Sequence, residues 1–222
     1  MVTKMDSVFY EKLAQTVIDC DIEECEKLVN EALDKGADPL DILDNGLSKG
    51  IKKVGDDFEA KLAFLPELIG AADVMKAAVA ILDEKLREAG TERKSAGKVV
   101  IGTVKGDIHD IGKSLVAAVL SANGYDVVDI GIDVENEAFV KAVDEYKANV
   151  IAMSSLLTLN IQEMGVVVKL LKDAGKRDQV KVIVGGAPVT QEFADGIGAD
   201  AFGHDAADAV VKIDKLLGVV RK

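Results

Sequence analysis

Apolar positions in the first ninety residues recur every three or four places, the spacing of one buried helix face. Phe9, Leu13 and Val17 form a first stripe. Ile22, Cys25, Leu28, Val29 and Leu33 form a second, and Gly36 stands at its C-terminal cap. Leu40, Leu43, Leu47, Ile51, Val54 and Phe58 carry the pattern through a third segment. A fourth opens at "FLPEL", with Pro66 in a first-turn position, and continues through Leu68, Ile69, Ala72, Met75, Val79, Leu82 and Leu86. Each stripe covers one face only, which predicts a small antiparallel four-helix bundle over residues 1–90.

The period changes after "GTERKSAG" (90–97), a polar stretch whose composition marks residues 91–97 as a linker. From residue 98 to 222, short β-branched runs alternate with helical segments: "KVVIGTV", "YDVVDIG", "NVIAMSS", "VKVIVGG" and a weaker "DAFG". Strand–helix alternation of this kind predicts an α/β domain with a parallel sheet covered on both faces. Five strands fit a flavodoxin-like, doubly wound, Rossmann-like arrangement, whose sites lie beyond the C-terminal strand ends. Three short stretches fall there: Gly106 to Gly112 after the first strand, Ser154 after the third, and Gly185–Gly186 after the fourth.

Composition narrows the function. The 222-residue chain has a formal net charge of −12, which argues against a nucleic-acid or anionic-membrane surface. No apolar run reaches the length of a membrane span, and the N-terminus lacks a signal-peptide layout, so a cytoplasmic protein is expected. Cys20 and Cys25 are the only cysteines and read as reduced thiols; with two histidines in all, a zinc cluster is not expected.

The chemistry concentrates in "VKGDIHDIGKS", residues 104–114. A phosphate loop is a poor fit, because five residues separate its glycines and acidic side chains stand where phosphate would approach. The glycine spacing also fails the dinucleotide fingerprint. A general acid–base histidine oriented by the preceding aspartate stays open. The preferred reading is a metal-ligating His109 whose other ring nitrogen is held by Asp107. One histidine cannot hold a free ion, so the metal would arrive inside a macrocycle, haem or corrin.

Asp107-x-His109-x-x-Gly112, Ser154-x-Leu156 and Gly185-Gly186 follow one another with forty-one and twenty-eight residues between them. This resembles the three-part signature of cobalamin-binding domains that hold the cofactor base-off with histidine as lower axial ligand. "VGDDFEAKLAFLPELIGAADVMKAA" resembles the helical cap that precedes that domain in methionine synthase and in the corrinoid proteins of methylamine and methanol methyltransferase systems. The small two-domain corrinoid proteins resemble the chain most, and no methyltransferase barrel is expected.

The resemblance implies that His109 binds cobalt and that Asp107 orients it and shares its proton. It implies that Ser154, with Thr158 nearby, meets the displaced dimethylbenzimidazole tail. Gly185 and Gly186 would let the tail pass, and Ala206 matches a position near its nucleotide end. Gly106, Ile108 and Asp110 would touch the corrin, while Phe58, Leu65 and Asp44 match cap positions that reach it. Phe58 also continues the third helical stripe, and Asp44 reads equally as a solvated helix residue. His204 reads as a loop histidine. In methionine synthase a serine six residues past the signature serine completes a relay with the aspartate; here that place is Asn160, whose amide cannot relay a proton.

The function so implied is that of a methyl carrier, with no catalysis of its own, cycling between cob(I)alamin and methylcobalamin. The cap would swing aside about the linker. The expected partners are a substrate:corrinoid methyltransferase, a second methyltransferase acting on tetrahydrofolate or coenzyme M, and a reductive activator protein. Alternatives are a subunit of an adenosylcobalamin mutase, which usually lacks the cap, and a cobalamin-dependent sensor, which carries an output domain.

Overall fold

A computed structural model describes residues 4–88 and 95–220. Linker positions 91–94 lie outside the described residues. The chain divides into two compact units, one holding the helices before residue 89, the other holding Ser95–Leu120 and the chain from Gly124 onward.

Helices α1 (Ser7–Ile18) and α2 (Ile22–Asp34) each start at an aspartate that caps the first turn. Asp6 accepts from the Phe9 N–H at 2.8 Å and Asp21 from the Glu24 N–H at 3.0 Å, satisfying donors that lack an intrahelical partner. Gly36, at φ 78°, ends α2 in the left-handed conformation. Helix α3 is continuous but not uniform: Pro39–Ile42, a π-helical turn Leu43–Leu47, then Ser48–Glu59. Helix α4 spans Leu65–Glu88. α1 packs on α3 and α2 on α4, making the four-helix bundle the stripes predict.

Two phases differ from the sequence reading. The π turn adds a residue, so Ile42 and Leu43, then Gly46 and Leu47, are buried, whereas Leu40 is half-buried. A Cβ at Gly46 would come 2.6 Å from Leu13 Cδ2, and one at Gly50 2.5 Å from the Ala14 carbonyl oxygen. Close approach to α1 is thus possible only because both positions are glycine. In α4 the buried face runs Leu68, Ala71, Val74, Ala78, Leu82 and Leu86. Ala72, Met75 and Val79 stand at its edge, half-buried.

The second unit is a five-stranded parallel sheet, β1 (Lys98–Thr103), β2 (Asp126–Asp129), β3 (Val150–Ser154), β4 (Lys181–Gly185) and β5 (Ala201–Gly203), in the order β2-β1-β3-β4-β5. Helices α5 (Ile111–Ala122), α6 (Asn136–Glu145), α7 (Ile161–Asp173), α8 (Gln191–Ile197) and α9 (Ala206–Leu217) follow the strands in turn. The strands are apolar on both faces, as a covered parallel sheet requires, and one core gathers Val100, Phe139, Ile151, Met164, Leu171 and Val182. This is the flavodoxin-like order. Its reversal point lies between β1 and β3, where Thr103 pairs with Ser154, so the loops after these strands flank one crevice.

Candidate functional site

The loop after β1 carries His109, and three neighbouring segments clamp it. Gly106 takes φ 80°, and its N–H donates to Asp133 Oδ1 at 2.7 Å. The Asp133 N–H donates back to the Asp107 carbonyl at 2.9 Å, which ties the loop to the one after β2. Thr103 Oγ1 donates to the His109 carbonyl at 2.8 Å.

Asp107 is fully buried and collects five donors. Its Oδ1 accepts from the His109 N–H at 3.0 Å and lies 2.6 Å from His109 Nδ1. Its Oδ2 accepts from Ser155 Oγ at 2.7 Å and from the N–H groups of Leu156 at 2.7 Å and Leu157 at 3.2 Å. Burial alone would raise the Asp107 pKa, but the donors outweigh it and hold the carboxyl well below the usual range. An ionised carboxylate only accepts, so Nδ1 must carry the hydrogen. That leaves Nε2 with a free lone pair on a side chain that is 46% exposed. Among the described residues no three His, Cys, Asp or Glu side chains gather to hold a bare ion. His109 can therefore serve as a single axial ligand to a metal whose other positions are already filled.

Lys113, 2% exposed, reaches Asp110 Oδ1 at 2.7 Å and pairs with Asp129 at the end of β2. The residue after His109 is so anchored to the sheet, and the ammonium lowers the Asp110 pKa. Ile108 (70% exposed), Ile111 (75%), Leu156 (47%) and Leu157 (40%) stand around this loop on the same edge of the sheet. Such a cluster of uncovered apolar side chains at a C-terminal edge suits a large flat ligand.

A cavity of about 200 Å³ opens beside the loop, lined among others by Gly112, Ser154, Gly185, Gly186 and Ala206. Five of the expected positions meet there. Leu156 and Thr158 do not: both are exposed, and Leu156 acts through its backbone N–H on Asp107. The glycines serve different ends. Gly186 has φ 121°, and a Cβ there would lie 1.9 Å from the Ser155 carbonyl oxygen, so the chain itself requires it. At Gly185 a Cβ would come 3.0 Å from the Gly203 carbonyl oxygen. At Gly112 a Cβ would meet no atom within 4 Å. The missing side chain leaves space that the fold does not use.

Asn160, in the place of the relay serine, turns elsewhere: its Nδ2 donates to the Lys105 carbonyl at 2.8 Å. The hydroxyl on Asp107 comes from Ser155, which the sequence reading missed. The signal was there, since neighbours at a strand end point to opposite sides and Ser154 and Ser155 cannot share a role. His204 stands at the cavity lining with an 80% exposed side chain. In the helical unit Asp44 is exposed on the π turn, and Phe58 and Leu65 are half-buried at the hairpin between α3 and α4. The hairpin tip also presents Leu62 (75% exposed) and Phe64 (72%), neither of them singled out from sequence.

Comparison with known proteins bears on this site. A family described as "B12 binding domain" matches residues 97–213, and a second family of that description matches residues 10–83. The trimethylamine corrinoid protein of Methanosarcina barkeri is 42% identical over 208 residues, 94% of this chain and 96% of that one. Dimethylamine corrinoid protein 1 of Methanosarcina mazei is 44% identical over 207 residues, 93% of this chain and 95% of that one. Among solved structures, a chain of the methanol:cobalamin methyltransferase complex MtaBC from Methanosarcina barkeri matches with a TM-score of 0.82 at 29% identity. That match covers 100% of this chain and 83% of the other.

Proposed function

We propose, from the premise that this chain belongs to the family of two-domain B12-binding corrinoid proteins of methyltransferase systems, that it carries a methyl group between two methyltransferases on cobalamin held by His109. The observation that carries the ligand assignment is the free Nε2 of an imidazole whose Nδ1 is committed to a buried, ionised Asp107. The residues fit the cofactor: one exposed lone pair for the lower axial position, an apolar rim for the ring, and a cavity beside it for the displaced tail.

Bound cobalamin supplies a cobalt centre that accepts a methyl group and gives it up. Around it, this chain's residues handle position and charge. His109 would present Nε2 to the cobalt, and Asp107 would keep the ring in the tautomer that can ligate. With Nδ1 committed to the carboxylate 2.6 Å away, Asp107 would offset positive charge on the ring. Asp107 stays ionised, because a proton on either oxygen would be set against the N–H and O–H donors already aimed at it. Ser154 and Gly112 line the cavity that would seat the tail. Phe58, Leu65, Leu62 and Phe64 give the hairpin tip of the helical unit an apolar surface.

A methylamine is the favoured methyl donor: relatives named for trimethylamine and dimethylamine are 41–44% identical, and among solved structures the monomethylamine corrinoid protein of Methanosarcina barkeri is 35% identical against 29% for the methanol system. One substrate-specific methyltransferase loads the carrier, and a second unloads it to coenzyme M or tetrahydrofolate. The test is reconstitution with cobalamin followed by electron paramagnetic resonance of the cobalt(II) state. Wild type should show superhyperfine splitting from one axial nitrogen, and His109→Ala should lose it. Unchanged splitting in His109→Ala would overturn the ligand assignment.

A further inference from the structure

We infer that Asn160 and Asp133 are positioning residues. They grip the two ends of one peptide group, Lys105–Gly106, and so hold in a single form the turn that sets Asp107 against His109. The inference rests on the reading that His109 ligates cobalt. The Asp107 N–H donates to the Val104 carbonyl at 3.1 Å, which closes a four-residue turn. Gly106, third in that turn, has φ 80°, and Lys105 before it keeps a negative φ, the pattern of a type II turn. Types I and II differ by half a rotation of the central peptide, here Lys105–Gly106. Both polar atoms of that peptide are held. Asn160 Nδ2, after β3, donates to the Lys105 carbonyl at 2.8 Å. The Gly106 N–H donates to Asp133 Oδ1, after β2, at 2.7 Å. Half a rotation would turn the carbonyl away from the Asn160 amide and the N–H away from the Asp133 carboxylate, so both contacts favour the same form.

Three features set these contacts apart from incidental ones. Asn160 stands at the N-cap of α7, where an asparagine ordinarily caps its own helix, yet its side chain makes no capping bond there. A Cβ at position 106 would lie 2.3 Å from Asn160 Nδ2, so the clamp requires glycine as much as φ does. Asp133 is itself left-handed, at φ 50°, a conformation that costs a non-glycine residue energy. Its own N–H returns to the Asp107 carbonyl at 2.9 Å. Neither side chain lines the cavity beside the loop, so both act on the site through the turn. Holding the turn before a ligand arrives lowers the ordering cost of binding.

The test uses the full chain with three substitutions. Asn160→Asp sets a carboxylate oxygen against the Lys105 carbonyl. Asp133→Ala removes the second grip, and Asp133→Asn keeps an acceptor and tolerates the left-handed backbone. In the apo chain, the His109 amide, bonded to Asp107 at 3.0 Å, should exchange hydrogen at least about fivefold faster in Asn160→Asp and Asp133→Ala. The Ile151 amide, at the centre of the sheet, should keep its wild-type rate. In a cobalamin titration followed by absorption, these two variants should bind about five- to tenfold more weakly, and Asp133→Asn within about twofold of wild type. Placed in His109→Ala, Asn160→Asp should cost no further affinity, because the group it positions is gone. Unchanged exchange at His109, equal acceleration at Ile151, or an equal loss of affinity in the His109→Ala background overturns the inference. Axial-nitrogen splitting retained in His109→Ala alone overturns the ligand reading instead.

Discussion

Asp107→Asn tests the site with a change of one atom. Five donors converge on the two oxygens of Asp107, and an amide keeps one oxygen and turns the other into a donor. The amide oxygen must face the Ser155, Leu156 and Leu157 side, because two of those donors are backbone N–H groups that cannot turn away. The NH2 then faces His109. The ring can adapt by moving its hydrogen from Nδ1 to Nε2, but the His109 backbone N–H is left against another donor. Loss of a charge-assisted bond costs about 1.5–3 kcal/mol and an unsatisfied buried N–H about 1–3 kcal/mol. Some relaxation is expected, so the apo variant should be less stable by about 2–5 kcal/mol, read from urea unfolding at pH 7. The tautomer switch has a second consequence: a protonated Nε2 cannot ligate. Reconstituted Asp107→Asn should therefore show cobalt(II) without axial-nitrogen splitting, although the imidazole is intact. A variant that keeps wild-type splitting and wild-type stability would refute the assignment of Asp107 as an ionised acceptor that sets the tautomer.

Four further outcomes are expected. Ser155→Ala leaves Asp107 four of its five donors and should cost about 1–2 kcal/mol in urea unfolding while retaining axial-nitrogen splitting. Gly186→Ala should destabilise the apo chain by at least about 3 kcal/mol, because strain at positive φ adds to overlap with the Ser155 carbonyl. Gly112→Ala should leave apo stability within about 0.5 kcal/mol of wild type, yet weaken cobalamin at least about tenfold in a spectral titration. The Asp107 pKa is lowered by folding, so its stabilisation is complete above the unfolded value near 4 and is lost as pH falls below it. Wild type's advantage over Asp107→Asn should then shrink steadily as pH falls from about 4 to about 2, measured by urea midpoints across that range; parallel curves would contradict the sign.

The parts legible in the sequence were those set by repeated, local physics. Four one-faced stripes specify a bundle, and β-branched runs between helical segments specify a parallel sheet, because each residue adds to the same signal. The DxHxxG loop was legible because its partners fall at the ends of other strands. What was missed depends on packing between distant segments. The π turn at Leu43–Leu47 answers to Gly46 meeting Leu13, and no local period encodes that contact. The phase of α4 was misjudged for a similar reason, since Ala71 and Ala78 are buried by what they touch rather than by their own apolarity. Asn160 was sought on Asp107 by counting along the chain, whereas the turn after β3 brings Ser155 there instead.

The site combines a rigid loop with an open ligand position, and the same residues account for both. Asp107 joins the β1 loop to the β3 loop through Ser155, Leu156 and Leu157, and Asp133 joins it to the β2 loop. Lys113 holds the far end of the loop to β2. The ordering entropy of the loop is thus met by folding, before any ligand arrives, so less of the binding energy is lost to arranging His109. The clamps all stop short of Nε2 and of the space beside Gly112. Because the carboxylate is already saturated, Nε2 is the one lone pair of the Asp107–His109 pair left open to a ligand. Any change that weakens the donors to Asp107 makes the carboxylate more basic and draws the shared hydrogen away from Nδ1, which alters the tautomer His109 offers a ligand without touching the cofactor.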